Sequence, residues 1–279
     1  MILFPNAKIN LGLNILRRRP DTGYHDIDTV MLPIAWHDIL EIVPAHGGET
    51  TLTCYGRPVD CPPEKNLVMK AYRALADVTG GLPPADIYLE KIVPDGAGLG
   101  GGSSDAAFTL IGLNEVFNLG FPPEKLAEVA ALVGADCPFF IYNRPSHCTG
   151  TGTDISPDAA IDLSGYAILV AKPRGEGVST KQAYAGVHPH QPETPLLQFL
   201  AEPICTWQGR VVNDFEESIF PLLPACAEFK NIMLDSGAVY ASMSGSGSAV
   251  YGIFESDNLA QEAAARLPEC DFNITPRRV

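Results

Sequence analysis

An α+β fold built from two packed lobes is what this sequence predicts, and three features predict it. Strand-like and helix-like segments are mixed without the strict alternation of a doubly wound sheet. A glycine-rich loop in the first half leads directly into a helical segment. A stretch rich in Gly, Thr, Ser, Pro and Asp, residues 143–160, separates an earlier set of elements from a later one. With 279 residues and 46% apolar content, the chain sits at the limit of what one core supports, so one domain is expected over 1–150 and another over 151–279.

Residues 7–15 alternate, with Ala7, Ile9, Leu11, Leu13 and Ile15 on one face and Lys8, Asn10, Gly12 and Asn14 on the other. This reads as a half-buried strand. A period of two sets Lys8 and Asn10 side by side, roughly 6.5 to 7 Å apart, where both can touch one ligand. Extended segments are expected at 39–43, 51–55 and 87–93. Between the last two lies a helix carrying Leu67, Val68, Ala71, Leu75 and Val78 on one side and stopping at Gly80-Gly81. A helix over 105–117 follows the glycine loop. Pro122-Pro123 opens another, with Leu126, Val129, Ala130 and Val133 inward and Gly134 as its stop, and Asp136 comes directly after. Beyond residue 160 the reading gives a strand at 166–171, helical segments, and strands at 238–243 and 248–254. A helix over 258–267 and a strand near Phe272 complete it.

The loop itself, Pro94-Asp95-Gly96-Ala97-Gly98-Leu99-Gly100-Gly101-Gly102-Ser103-Ser104, holds five glycines in eleven residues. Glycine admits positive φ and close approach of the backbone to a ligand, and a helix N-terminus presents unpaired N–H groups to an anion. Nucleotide phosphate is the natural guest. No lysine lies between Asp95 and Phe117, so this is not a Walker loop, and a cation must come from elsewhere. A flexible linker is the bland alternative, but Ala106, Leu110, Leu113 and Phe117 continue at helical spacing.

Acidic residues outnumber basic ones by 33 to 19, for a net charge of -14, which argues against nucleic acid or an anionic membrane as partner. No run is long enough to span a membrane and the N-terminus lacks signal-peptide order. Seven cysteines, widely spaced and without a Cys-x-x-Cys pair, indicate neither a zinc site nor a disulfide framework, and fit the cytoplasm.

Three segments occur in order: Pro5-Asn6-Ala7-Lys8-Ile9-Asn10-Leu11, the glycine loop, and Met243-Ser244-Gly245-Ser246-Gly247-Ser248. Together they resemble the three motifs of the GHMP kinase superfamily, small-molecule kinases related to galactokinase, homoserine kinase and mevalonate kinase. That resemblance implies a two-lobe fold: an N-terminal lobe like the second domain of ribosomal protein S5, a ferredoxin-like C-terminal lobe, and an active site in the cleft between. Gly23-Tyr24-His25, the triple glycine and Gly134-Ala135-Asp136-Cys137-Pro138-Phe139-Phe140 are similar to the branch that acts on a cytidine-diphosphate-linked methylerythritol. The implied reaction moves the γ-phosphoryl of ATP to the 2-hydroxyl of that small molecule. The implied protein is a monomer or weak homodimer with ATP and Mg²⁺ as cofactors.

Residue roles follow from the resemblance together with the demands of phosphoryl transfer. Asp136 is expected to take the hydroxyl proton, against a plain helix-capping role, and Lys8 to offset charge on the phosphoryl group, against a solvent-facing strand lysine. Asn10 is expected to position the acceptor. Residues 94–104 form the ATP phosphate site, with the hydroxyls of Ser103 and Ser104 on phosphate and Ser104 as the Mg²⁺ contact, a role compatible with helix capping. Asn66 and Lys91 either border the adenine or are a helix-start polar residue and a surface strand lysine. Tyr24 and His25 take the cytosine by stacking and hydrogen bonding, with Tyr184 closing the sandwich. Gly245, Ser246 and Gly247 close over the substrate diphosphate, unless they form only a Gly/Ser hairpin. Asp95 departs from the small or apolar residue expected there. Another GHMP kinase, or a ligand sensor on the same fold, is the competing reading.

Overall fold

The structure is a computed structural model and describes residues 1–59, 61–175 and 177–275. The chain runs β1 (Ile2–Leu3), β2 (Asn6–Arg18), β3 (His25–His37), β4 (Ile39–Pro44), β5 (Thr51–Gly56), α1 (Leu67–Thr79), β6 (Ala85–Lys91), α2 (Gly101–Val116), α3 (Pro123–Val133) and α4 (Cys137–Tyr142). It continues through β7 (Ser146–Thr149), β8 (Asp154–Pro157), β9 (Ala167–Pro173), α5 (Thr180–Ala185), α6 (Leu196–Leu200), α7 (Phe215–Ile219), α8 (Pro224–Asp235), β10 (Tyr240–Met243), β11 (Val250–Phe254), α9 (Asp257–Arg266) and β12 (Cys270–Ile274). Contact density groups these into two compact units, each drawn from several stretches of the sequence. One comprises Met1–Ala7, Trp36–Asp95 and Gly100–Arg144; the other comprises Lys8–Ala35, Gly96–Leu99 and Pro145–Val279.

In the first unit a four-stranded sheet has the order β1-β4-β6-β5, with β5 parallel to β6 and the other pairs antiparallel. Ala85, Ile87, Leu89 and Lys91 alternate inward along β6, so the lysine ends a row of core positions. Asn66 starts α1, its side chain accepting the Val68 N–H at 2.9 Å, and Gly80 ends it in the left-handed conformation. Helix α2 is buried on nearly every side, and a Cβ at Gly112 would stand 2.6 Å from the side-chain tips of Ile42 and Leu3, which would have to shift to admit it.

The second unit holds the sheets β2-β3-β7-β8 and β10-β11-β9-β12. Its later elements follow the order β9, α8, β10, β11, α9, β12, the βαββαβ arrangement of a ferredoxin-like domain. Leu169, Ala171, Phe229, Met233, Val250 and Phe254 form its core under α8 and α9.

Several expectations need correction. The strand expected to be half buried is covered on both faces from Asn6 to Ile15, so Lys8 and Asn10 lie inside the protein. Strand β3 has no counterpart in the sequence reading. Val30, Met31, Leu32 and Ile34 are all buried, which erases alternation, and Pro33 interrupts the run. The polar stretch 143–160 is not a plain linker but carries β7 and β8. Helix α2 starts at Gly101 rather than residue 105, so the last two glycines form its first turn. Val78 is 40% exposed instead of packed.

Candidate active site

Within the second unit the three motifs meet through the backbone. The Lys8 N–H donates to the Leu99 carbonyl at 2.9 Å, and the Ala249 N–H donates to the Ala97 carbonyl at 3.1 Å. The Ser244 hydroxyl donates to the Gly98 carbonyl at 2.8 Å. Gly98 has φ +79°, and a Cβ there would stand 2.0 Å from the Ser244 carbonyl oxygen, so glycine is required on both counts. Asn213 holds the turn from behind, donating to the carbonyls of Met243 at 2.7 Å and Gly245 at 2.9 Å. Ser246 faces Thr180, hydroxyl to hydroxyl at 3.4 Å, and Gly247 completes the turn at φ +84°.

Lys8 and Asn10 do point to one side: the ammonium donates to Asn10 Oδ1. Asn10 in turn donates to Thr29 Oγ1 at 3.0 Å, and its carbonyl accepts from the buried Tyr251 hydroxyl at 2.6 Å. Burial makes these bonds matter, because a polar group out of water costs free energy unless it is paired. At the other end of β2, His25 stacks on Tyr184 with ring centroids 4.7 Å apart and planes 18° from parallel. Phe215 packs edge-on against Tyr184 at 4.8 Å. Burial, followed by the charge of Arg18, holds the His25 imidazole below its ordinary pKa, so it is neutral near pH 7 and offers one donor and one acceptor. Tyr24 lies 68% exposed beside it.

Within the first unit, Pro94 and Asp95 lead into the loop and Gly100, at φ +72°, caps α2. Gly101, Gly102, Ser103 and Ser104 make the first turn, where backbone N–H groups lack helical partners until Ser104 bonds to the Gly100 carbonyl at 2.9 Å. The Ser104 hydroxyl is buried with no hydrogen bond inside the chain. A buried orphan oxygen at a helix start suits a phosphate or its metal ion. Among the described residues, no group of three His, Cys, Asp or Glu is arranged to hold a metal. Asp136 occupies the N-cap position of α4, and its side chain makes no capping hydrogen bond there. Its neighbour Cys137 meets the Ser103 side chain, and burial pushes that thiol up to about 12.

Lys91 is no surface lysine: it is 3% exposed, and its ammonium donates to Asp38 at 2.6 Å and Asp105 at 2.7 Å, with Asp95 at 3.6 Å. Burial pulls its pKa down, but the nearby Asp105 and Asp38 outweigh that and hold it above the ordinary lysine range. Asp95 thus faces a cation, which accounts for an acid at the edge of a phosphate loop. Asn66 borders a cavity of about 200 Å³ lined also by Leu52, Cys54, Tyr55, Arg57 and Pro63. Sequence reasoning missed Asp38, Asp105, Asn213 and Phe215. Only Asp38, an acid set between His37 and the apolar pair Ile39-Leu40, left a signal.

These features define a nucleotide-dependent small-molecule kinase. Residues 66–144 match the family described as GHMP kinases N terminal domain, and residues 201–271 match GHMP kinases C terminal. The chain belongs to the GHMP kinases and, within them, to the 4-diphosphocytidyl-2-C-methyl-D-erythritol kinase family. It is 49% identical to the kinase of that name from Parabacteroides distasonis, covering 91% of this chain and 92% of the relative. Against its counterpart from Bacteroides thetaiotaomicron the identity is 48%, over 98% and 96%. The crystal structure of a 4-(cytidine 5'-diphospho)-2C-methyl-D-erythritol kinase superposes with TM-score 0.82 at 32% identity, covering 99% of this chain and 98% of that one. Methanococcus jannaschii mevalonate kinase shares the fold, with TM-score 0.75 at 14% identity over 100% and 98%. Among the described residues no helix is long and apolar enough to cross a membrane.

Proposed function

We infer that this chain transfers the γ-phosphoryl group of ATP to the 2-hydroxyl of 4-diphosphocytidyl-2-C-methyl-D-erythritol, giving the 2-phosphate and ADP. The observation that carries this reading is the convergence of Lys8, the 96–99 segment and the Ser244 turn on one another in a chain close to relatives of that name. Asp136 accepts the proton of the attacking hydroxyl, and Lys8 offsets the negative charge that gathers on the phosphoryl oxygens. Asn10, fixed by Thr29, orients the acceptor. Of the backbone N–H groups expected on phosphate from Gly98 to Ser104, that of Ser104 is taken by the Gly100 carbonyl, and those ahead of it hold the β- and γ-phosphates.

The Ser104 hydroxyl, buried without a hydrogen bond inside the chain, is the group that would hold Mg²⁺ carried by ATP, which would neutralise phosphate charge when bound. The cavity beside Asn66 takes the adenine. Lys91 does not line that cavity: only its carbonyl packs against Gly56 of the wall, and its ammonium is held by Asp38 and Asp105, so its part in the adenine site is indirect. His25, Tyr24 and Tyr184 hold the cytosine, and Gly245, Ser246 and Gly247 close over the diphosphate. In family terms, 1–150 is the N-terminal kinase domain and 151–279 the C-terminal one. We place the enzyme in the cytoplasm as a monomer or weak homodimer, with no nucleic-acid or membrane partner. The charge of -14 and the free thiols among the described residues support that placement.

The test is ADP release with ATP and three acceptors offered separately: the cytidine-diphosphate-linked methylerythritol, mevalonate and homoserine. Fastest turnover is expected on the first. Faster turnover on either of the others overturns the assignment.

A further inference from the structure

The buried ion cluster under the glycine loop is larger than a phosphate site needs. Asp38, fully buried where β3 gives way to β4, uses both oxygens. One accepts the Lys91 ammonium at 2.6 Å; the other accepts the N–H groups of Ile92 at 2.5 Å and Val93 at 2.8 Å, the two residues that lead from β6 to the loop. The same ammonium reaches Asp105 at 2.7 Å, in the second turn of α2, just past the loop's far end. Gly101 packs closely on the pair, for a Cβ there would stand 3.4 Å from Lys91 Nζ and 3.1 Å from Val93 Cγ1. One carboxylate therefore grips the start of the loop, another carboxylate sits beyond its end, and a single ammonium ties them.

We propose that Asp38, Lys91 and Asp105 form a buried brace that fixes the spacing between the two ends of the glycine loop, making Asp38 and Asp105 positioning residues for the nucleotide phosphates. This rests on the reading of the loop as the ATP site. The ammonium is spent on Asp38 and on Asp105, whose buried carboxyl is held well above the usual carboxylate range, so Lys91 serves the nucleotide through loop geometry and not by touching phosphate. The three groups are packed where water cannot replace a lost partner, so removing one hydrogen-bonding partner loosens the other two.

The sign of one substitution separates the brace from simple electrostatics. Asp38→Asn removes a negative charge near a polyanion and leaves Lys91 in place. If Lys91 were a direct phosphate ligand, that change would leave ATP affinity alone or improve it, because the ammonium gains freedom and net charge. The brace demands the opposite. Titration calorimetry with a non-hydrolysable ATP analogue, and separately with cytidine diphosphate, is the measurement. It needs no turnover, so a wrong acceptor assignment shows in the ADP-release panel and leaves this test intact.

Asp38→Asn is expected to weaken the ATP analogue about tenfold, the scale set by the steep dependence of such sites on sub-ångström placement, while cytidine diphosphate stays within about twofold. Asp105→Asn, which keeps the Asp38 grip on Ile92 and Val93, is expected to act in the same direction and by less. It serves as the readout if Asp38→Asn does not fold. Unchanged or tighter binding of the analogue overturns the brace. So does equal weakening of both ligands, which marks general loosening of the protein.

Discussion

Gly98→Ala tests the closest approach in the site. The new Cβ would stand 2.0 Å from the Ser244 carbonyl oxygen, 2.9 Å from its carbon and 3.3 Å from the Gly247 nitrogen, all of them backbone atoms that no rotamer change can move. Carbon and oxygen need roughly 3 Å or more, so the loop and the turn must part by about 1 Å. The residue also sits at φ +79°, which costs an L-residue about 1 to 2 kcal/mol. Displacement of a phosphate-holding backbone by about 1 Å is worth on the order of 100-fold in rate. Gly96→Ala is the control. It has φ +67° but open space where the Cβ would go, so it carries the conformational cost without the collision. With ADP release followed at varied ATP, Gly98→Ala should lower kcat/KM about 100-fold and Gly96→Ala by less than about tenfold. If both variants lose activity equally, or Gly98→Ala stays within about threefold of wild type, the contact between loop and turn does not set the site's geometry.

Other expectations are independent of that contact. Asp136→Asn should bind ATP as wild type does yet lose about 10² to 10⁴ in kcat, as measured by single-turnover and binding experiments side by side. Cys137 is held as a thiol by burial, with its pKa near 12, so iodoacetamide at mildly alkaline pH should modify exposed Cys205 and spare Cys137 when the native protein is mapped by mass spectrometry. Hydrogen bonds from Arg17 and Arg19 hold the Asp26 carboxyl below its usual range. Its charged form therefore stabilises the native state above about pH 3.8, and that contribution is lost as pH falls through the lower native value. Asp26→Asn should accordingly be less stable than wild type to urea at neutral pH, with the gap closing in acid.

The parts of this protein that were legible in its sequence are those governed by local chemistry. Glycines ahead of a helix announce an anion site wherever they occur, and Pro122-Pro123 and Gly134 bracket α3 within a residue or so. Alternation in 7–15 announced β2 and set Lys8 beside Asn10, as the hydrogen bond between them shows. What alternation leaves open is whether the polar face sees solvent; here it does not, because the covering residues come from distant parts of the chain, such as Tyr251. Strand β3 failed for a related reason, since a strand covered on both sides has no period to detect. The partnership of Asp38, Lys91 and Asp105 spans separations of 53 and 14 residues, and no local pattern encodes it. Asn213 and Phe215 likewise matter only through the turn and the ring they support.

The most direct test of the central claim is phosphorus NMR of the product formed from ATP and the cytidine-diphosphate-linked methylerythritol. The account predicts a new phosphomonoester on the tertiary carbon 2, which bears no hydrogen, so its resonance lacks the splitting a carbinol proton would give, while the diphosphate signals persist. A phosphomonoester split by carbinol protons, or inorganic phosphate alone from ATP, would contradict it.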